Sequence, residues 1–129
     1  LRLYQEFFAA ASSRSDALWL PQDATTVDEA TVLPLVLKEA WERNIVLFSS
    51  NLAHVRRGAL FALYPNNLEL GRSLGSSALA YLGVGGPPLR GVLPLREVLA
   101  ALNTRTADHL GLELSPRQQQ GFELFFPER

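Results

Sequence analysis

Cysteine and methionine are both absent from the 129 residues. The first absence excludes disulfides, thiolate metal sites and cysteine nucleophiles, although it identifies no compartment, since cytosolic and exported proteins alike can lack cysteine. The second extends to position 1 and points to a mature or excised segment, with Leu1 as an internal start. No run approaches the roughly 18 to 20 apolar residues that cross a bilayer, and the N-terminus lacks the basic, apolar and small-residue succession of a signal peptide. Charge of one sign is also lacking. Twelve basic residues stand against thirteen acidic ones, for a net charge of −1, so no field gathers phosphates and nucleic acid is not an expected partner. Histidine occurs only at positions 54 and 109. Both fall in predicted helices among charged residues, far in sequence from any plausible nucleophile, and both are expected at the surface.

Catalytic patterns are missing as well. Neither His-Glu-x-x-His nor Gly-x-Ser-x-Gly occurs, and the glycines at 83, 85 and 86 follow a helical stretch where a dinucleotide loop must follow a strand. No cofactor and no metal site is expected, and the chain does not read as an enzyme.

What is present is the composition of an ordinary globular domain, 47% hydrophobic and 19% charged, long enough for one folded body with a real core. Tyr4, Phe7, Phe8 and Ala11 recur at helical spacing over residues 2–12. The run 17–21, closed by Pro21, reads as a strand buried on both faces. Thr26 and Glu29 form a capping-box pattern ahead of an amphipathic helix to Arg43, with Pro34 near its start. A strand over 45–48, a helix over 52–57 stopped by Gly58, and a strand over 59–64 follow. A long helix runs from Leu68 to Leu82. Gly71 and Gly75 share one of its faces and are read as a close-packing device more than as a ligand device. Residues 92–95 and 97–102 read as extended, Asn103 or Thr104 caps a short helix to Leu110, and Gly111 ends it. The tail from Ser115 offers a turn, a short helix and a final apolar run. Strands and helices that alternate with tight links predict an α/β fold of three layers, a mainly parallel sheet with helices on both faces.

In such a sheet ligands bind beyond the carboxyl ends of the strands. Those positions carry a consistent polar set. Gln22, Asp23, Thr25 and Thr26 follow the first strand; Ser49, Ser50 and Asn51 the second; Tyr64, Asn66 and Asn67 the third. Each is also a helix cap or turn former by type, and the two roles are compatible, because a capping loop still presents its remaining groups to the crevice. Tyr64 suits stacking on a ligand or packing in the core equally well. Asp23, Asp28 and Glu29 match an acidic strand end of the response-regulator kind only in part, since no lysine stands at a later strand end.

The order of these segments resembles a known family. Residues 16–23 (DALWLPQD), a helix, and residues 44–51 (NIVLFSSN) are similar to the stretch in which ABC-transporter solute-binding proteins of the tryptophan and tyrosine type carry a strand ending in Pro-x-Asp and a strand ending in Ser-Asp. The likeness continues through residues 57–64 (RGALFALY), 68–72 (LELGR) and 101–111 (ALNTRTADHLG), the last similar to a closing Asn-x-x-Thr-Ala-x-x-Leu-Gly signature. It covers nearly the whole chain.

The resemblance implies a periplasmic-binding-protein-like lobe, the C-terminal part of a two-lobed protein that captures a small organic solute such as an amino acid between its lobes. It implies hinge closure, a permease or membrane sensor as partner, and an extracytoplasmic location with a lipid anchor as one way of holding the full-length parent there. Asp23, Thr25, Ser49, Ser50, Asn51 and Tyr64 are the expected cleft-facing contacts. Asn51 departs from the acid often found at that position, which puts the ligand in question. The length departs too. By the family's topology residues 65–90 belong with the absent lobe, and their apolar helix would pack on the remaining lobe, on a second copy in a homodimer, or on a missing piece. The alternative from another class is a flavodoxin-like or receiver-like regulatory domain that acts through partner contacts, and an enzyme of unrecognised chemistry comes third.

Overall fold

The computed structural model describes residues 2–88 and 90–128; the internal start inferred at Leu1 lies outside them. Its elements are helix α1 (Arg2–Ala10), strand β1 (Ala17–Leu20), α2 (Val32–Arg43), β2 (Val46–Ser49), α3 (Leu52–Arg57), β3 (Phe61–Pro65), α4 (Asn67–Tyr81), β4 (Val98–Asn103), α5 (Thr104–His109), α6 (Pro116–Gln119) and β5 (Leu124–Phe126). The five strands form one sheet in the order β1-β2-β3-β4-β5. The fold is α/β.

β1, β2 and β3 run parallel, with Ala17 opposite Val46 and Phe48 opposite Phe61. β4 and β5 are parallel to each other, Ala101 lying opposite Leu124. The end of β4 sits beside the start of β3. The Asn103 backbone N–H donates to the Leu60 carbonyl at 2.8 Å, its side-chain amide donates to the Val55 carbonyl at 2.8 Å, and the Thr106 hydroxyl donates to the Gly58 carbonyl at 2.9 Å. The carboxyl ends of β1, β2 and β3 therefore share one edge of the sheet, and those of β4 and β5 share the other.

Contacts divide the chain into two compact units, residues 1–64 with 100–129, and residues 65–99. In the first unit, Phe8 of α1 and Leu33, Val36 and Ala40 of α2 bury themselves against Leu20, Ile45 and Leu47. Neighbouring residues of a strand point to opposite faces. Ala101 packs with Val55 of α3, whereas Leu102 packs with Ala107 of α5, so helices cover both faces of the sheet. In the second unit, α4 buries none of its residues, and Leu68, Leu74, Leu79 and Tyr81 are exposed. An added Cβ at Gly71 or Gly75 would meet nothing within 4 Å. The close approach read from those two glycines does not occur among the described residues.

Several boundaries differ from the sequence reading for identifiable reasons. α2 begins at Val32, six residues after Thr26, because Thr26 and Asp28 are used in turns that precede the helix. The Thr26 hydroxyl donates to Asp23 at 2.7 Å, and the Thr31 N–H donates to Asp28 at 2.7 Å. Pro34 then falls in the first turn, where its missing donor costs nothing. β1 is one of the two edge strands, and its apolar run is not buried on both faces; Trp19 is 55% exposed while Leu20 is fully buried. Residues 92–95 form no strand. Val92 and Leu93 are exposed.

Candidate functional site

The links that follow β1 and β2 enclose a recess of about 500 Å³ lined by Gln22, Asp23, Ala24, Val27, Asp28, Glu29, Asn51 and His54. Two of the six expected contact residues, Asp23 and Asn51, are among them. Asp23 stands on an exposed turn. One of its carboxylate oxygens accepts from the Thr25 N–H at 2.9 Å and the Thr25 hydroxyl at 2.7 Å, and the other accepts from the Thr26 hydroxyl. The Thr26 and Thr25 hydroxyls and the Thr25 N–H hold its pKa at about 2. Asp23 is thus an anion at neutral pH, and a carboxylate still has acceptor capacity beyond three such bonds. Asp28 is held below the ordinary carboxylate range by the Thr31 hydroxyl and backbone N–H.

Asn51 caps α3, its side-chain oxygen accepting from the Ala53 N–H at 2.9 Å. Thr25 reaches the site through Asp23 alone. Ser49 lies beneath the recess, 2% exposed. Its hydroxyl donates to the Leu20 carbonyl at 3.0 Å, accepts from the Asn51 N–H at 3.0 Å and meets His54 Nδ1 at 2.8 Å. One serine thereby ties the ends of β1 and β2 to the first turn of α3. Ser50 turns the other way and accepts from the Trp19 indole N–H at 3.1 Å. Tyr64 packs beside Val55, Ala62, Ala101 and Phe126. Burial, aided by the charge of Glu123, raises its pKa. The structure does not bring Ser50 or Tyr64 to the recess.

The largest departure concerns His54, read from sequence as a surface residue but only 2% exposed. Burial lowers its pKa, with Glu29 opposing and Arg57 assisting. Its position, three residues beyond the cap Asn51 on the inner face of a six-residue helix, was the available signal: a residue there turns back toward the strand end. Gln22, Asp28 and Glu29 also line the recess, and their place just after β1 announced them. His109 is exposed, stacked on the Trp41 ring with centroids 3.6 Å apart.

A second concavity, of about 720 Å³, lies at the opposite edge between Leu102, Ala107, Leu112, Leu114 and Phe125. None of the polar residues that follow β1, β2 or β3 lines it. Among the described residues no three His, Asp or Glu side chains gather closely enough to hold a metal ion, and no helix is long and apolar enough to cross a membrane.

No protein-family model matches the chain, and no curated protein matches it. Solved structures do. A ligand-free, open substrate-binding protein with adhesive properties from Clostridium difficile is 21% identical, with a TM-score of 0.66 over 95% of this chain. The ABC domain in complex with L-Trp from Streptococcus pneumoniae is 19% identical, with a TM-score of 0.63 over 97% of it. A conserved domain protein from Vibrio cholerae O1 biovar El Tor is 19% identical, with a TM-score of 0.60 over 95%. The chain spans 40% of the length of each. It has the α/β fold of a part of substrate-binding proteins.

Proposed function

We propose that this chain is the C-terminal part of a two-lobed solute-binding protein that captures a small organic solute, such as an amino acid, and catalyses no reaction. The observation that carries the reading is the recess at the shared carboxyl ends of β1 and β2, where Asp23, Asn51 and His54 meet. In an open α/β sheet that edge is where ligands bind, and convergent polar groups that fix a ligand's orientation are part of the usual make-up of a small-molecule site. The likeness to a protein solved with L-Trp adds a solute of suitable size.

In this reading Thr25 and Ser49 hold the contact groups in place, and Ser50 and Tyr64 complete the wall of a cleft when the second lobe closes. Residues 65–90 belong with that lobe, whose core would cover the exposed face of α4. The longer protein works outside the cytoplasmic membrane, where a lipid anchor would hold it, and its partner is a permease or membrane sensor. A homodimer of the chain is the arrangement that would cover α4 in the lobe's absence.

Isothermal titration of the longer protein, and of this chain beside it, with the common amino acids tests the reading. Binding by the longer protein that the chain alone lacks or shows only weakly is the expected outcome. A longer protein that binds no small solute, or an unchanged heat with this lobe removed, would overturn it.

A further inference from the structure

The hydrogen bonds around Ser49 point to which nitrogen of His54 carries the proton. A serine hydroxyl has one proton to give. The Leu20 carbonyl at 3.0 Å can only accept it, and the Asn51 N–H at 3.0 Å can only donate to the oxygen. With that proton donated to the Leu20 carbonyl, His54 Nδ1, 2.8 Å away, is the donor to the same oxygen. A neutral imidazole with its proton on Nδ1 carries a lone pair on Nε2.

That lone pair is the one strong hydrogen-bonding position of His54 without a partner among the described residues. No side-chain nitrogen or oxygen sealed from solvent among those residues lacks a partner. Nε2 is therefore reached from outside, and the opening that His54 lines is the recess. No lysine or arginine lines that recess, while the acidic residues Asp23, Asp28 and Glu29 do. The nearest cation is Arg57, 3.9 Å from the Glu29 carboxylate and bonded to the Glu29 carbonyl at 3.2 Å.

We propose that His54 is a specificity-determining residue of this site, its Nε2 accepting a hydrogen bond from a cationic N–H group, an ammonium or guanidinium, drawn into a recess whose acidic lining residues are Asp23, Asp28 and Glu29. The assignment rests on the solute-binding reading for its biological setting and deepens it by naming which end of the solute enters the recess. A solute carboxylate meets like charge there, with no lysine or arginine in the lining to offset it, and lies elsewhere in the cleft.

The test uses the chain labelled with ¹⁵N in its two histidine rings, observed by long-range ¹H–¹⁵N correlation while ethylammonium chloride or sodium acetate is added. The expected spectrum shows His54 protonated on Nδ1, with an Nε2 resonance that moves on adding ethylammonium and stays put with acetate. His109 serves as the internal control. The variant His54→Asn keeps an N–H donor toward Ser49 and, being shorter, has no atom at the Nε2 position, and it should weaken ethylammonium binding roughly tenfold or more. A proton on Nε2, a response to acetate alone, or unchanged ethylammonium binding in a folded H54N chain would each overturn the assignment. If H54N does not fold, the wild-type titration decides by itself. Amino-acid binding by the longer protein with no ethylammonium response at His54 sinks this assignment and leaves the solute reading. The reverse pattern sinks the solute reading and leaves the acceptor in place.

Discussion

At the scale of single residues, Asp23 and His54 give the site two separate acid-sensitive windows. Folding lowers the His54 pKa from 6.5 chiefly by burial. The unfolded chain then takes up a proton that the folded one refuses, so the stability this neutral ring contributes is present above pH 6.5 and is lost as pH falls through the lowered value. Asp23 acts lower down. Its pKa falls from 3.8 to about 2, so its contribution is present above 3.8 and disappears as pH drops through about 2. Melting temperatures of wild type, H54N and Asp23→Asn against pH should therefore converge in two steps, the histidine difference first. Ser49 offers a sharper contrast. Ser49→Ala leaves the buried His54 Nδ1–H and the Asn51 N–H without their acceptor and should cost about 1–3 kcal/mol. Ser50→Ala removes only a surface bond to Trp19 and should stay within about 0.5 kcal/mol. Urea unfolding of the two variants checks both figures.

At the scale of elements, two asparagines perform the same local task with different consequences. Asn51 caps α3 from an intermediate position and bonds one N–H. Asn103, 5% exposed, caps α5 through the Thr106 N–H at 3.0 Å and also donates to the Val55 carbonyl. Its side chain thus joins the end of β4 to the last turn of α3. Loss of a cap costs about 0.5–2 kcal/mol, and loss of the buried bond to the Val55 carbonyl, which still accepts from the Gly58 N–H at 3.1 Å, adds about 0.5–1.5 kcal/mol. Asn103→Ala is expected to be the more destabilising of the two, and Asn103→Asp, which keeps the cap and loses the donor, should fall between wild type and N103A. Chemical denaturation of the three variants orders them. The resemblance singled out the Asn103 segment for its pattern of letters; its physical work is this junction, at the edge of the sheet opposite the recess.

At the scale of the whole molecule, the second unit carries a helix with no buried face. Alanine at Gly71 or Gly75 meets no neighbour and removes glycine's extra chain entropy. In the isolated chain each change should stabilise α4 by about 0.5–1 kcal/mol, seen as higher helicity by circular dichroism. In a longer protein whose missing lobe packs closely on that face, the same substitutions should instead lower the melting temperature.

The α/β class, the positions of β1 to β3 and the polar residues that end β1 and β2 were all legible in the order of the amino acids, because hydrophobic period, glycine stops and cap residues act over a few residues at a time. Asn51 and Asn103 were legible as caps for the same reason. Long-range packing alone settled that β4 returns along β3 and sends Asn103 to the far edge, that Trp19 lies on an edge strand, and that His54 is buried with its Nδ1 against Ser49. Each of these depends on which distant segments become neighbours. A histidine in a short polar helix reads as a surface residue until the end of β1, from well before it in the chain, closes over it.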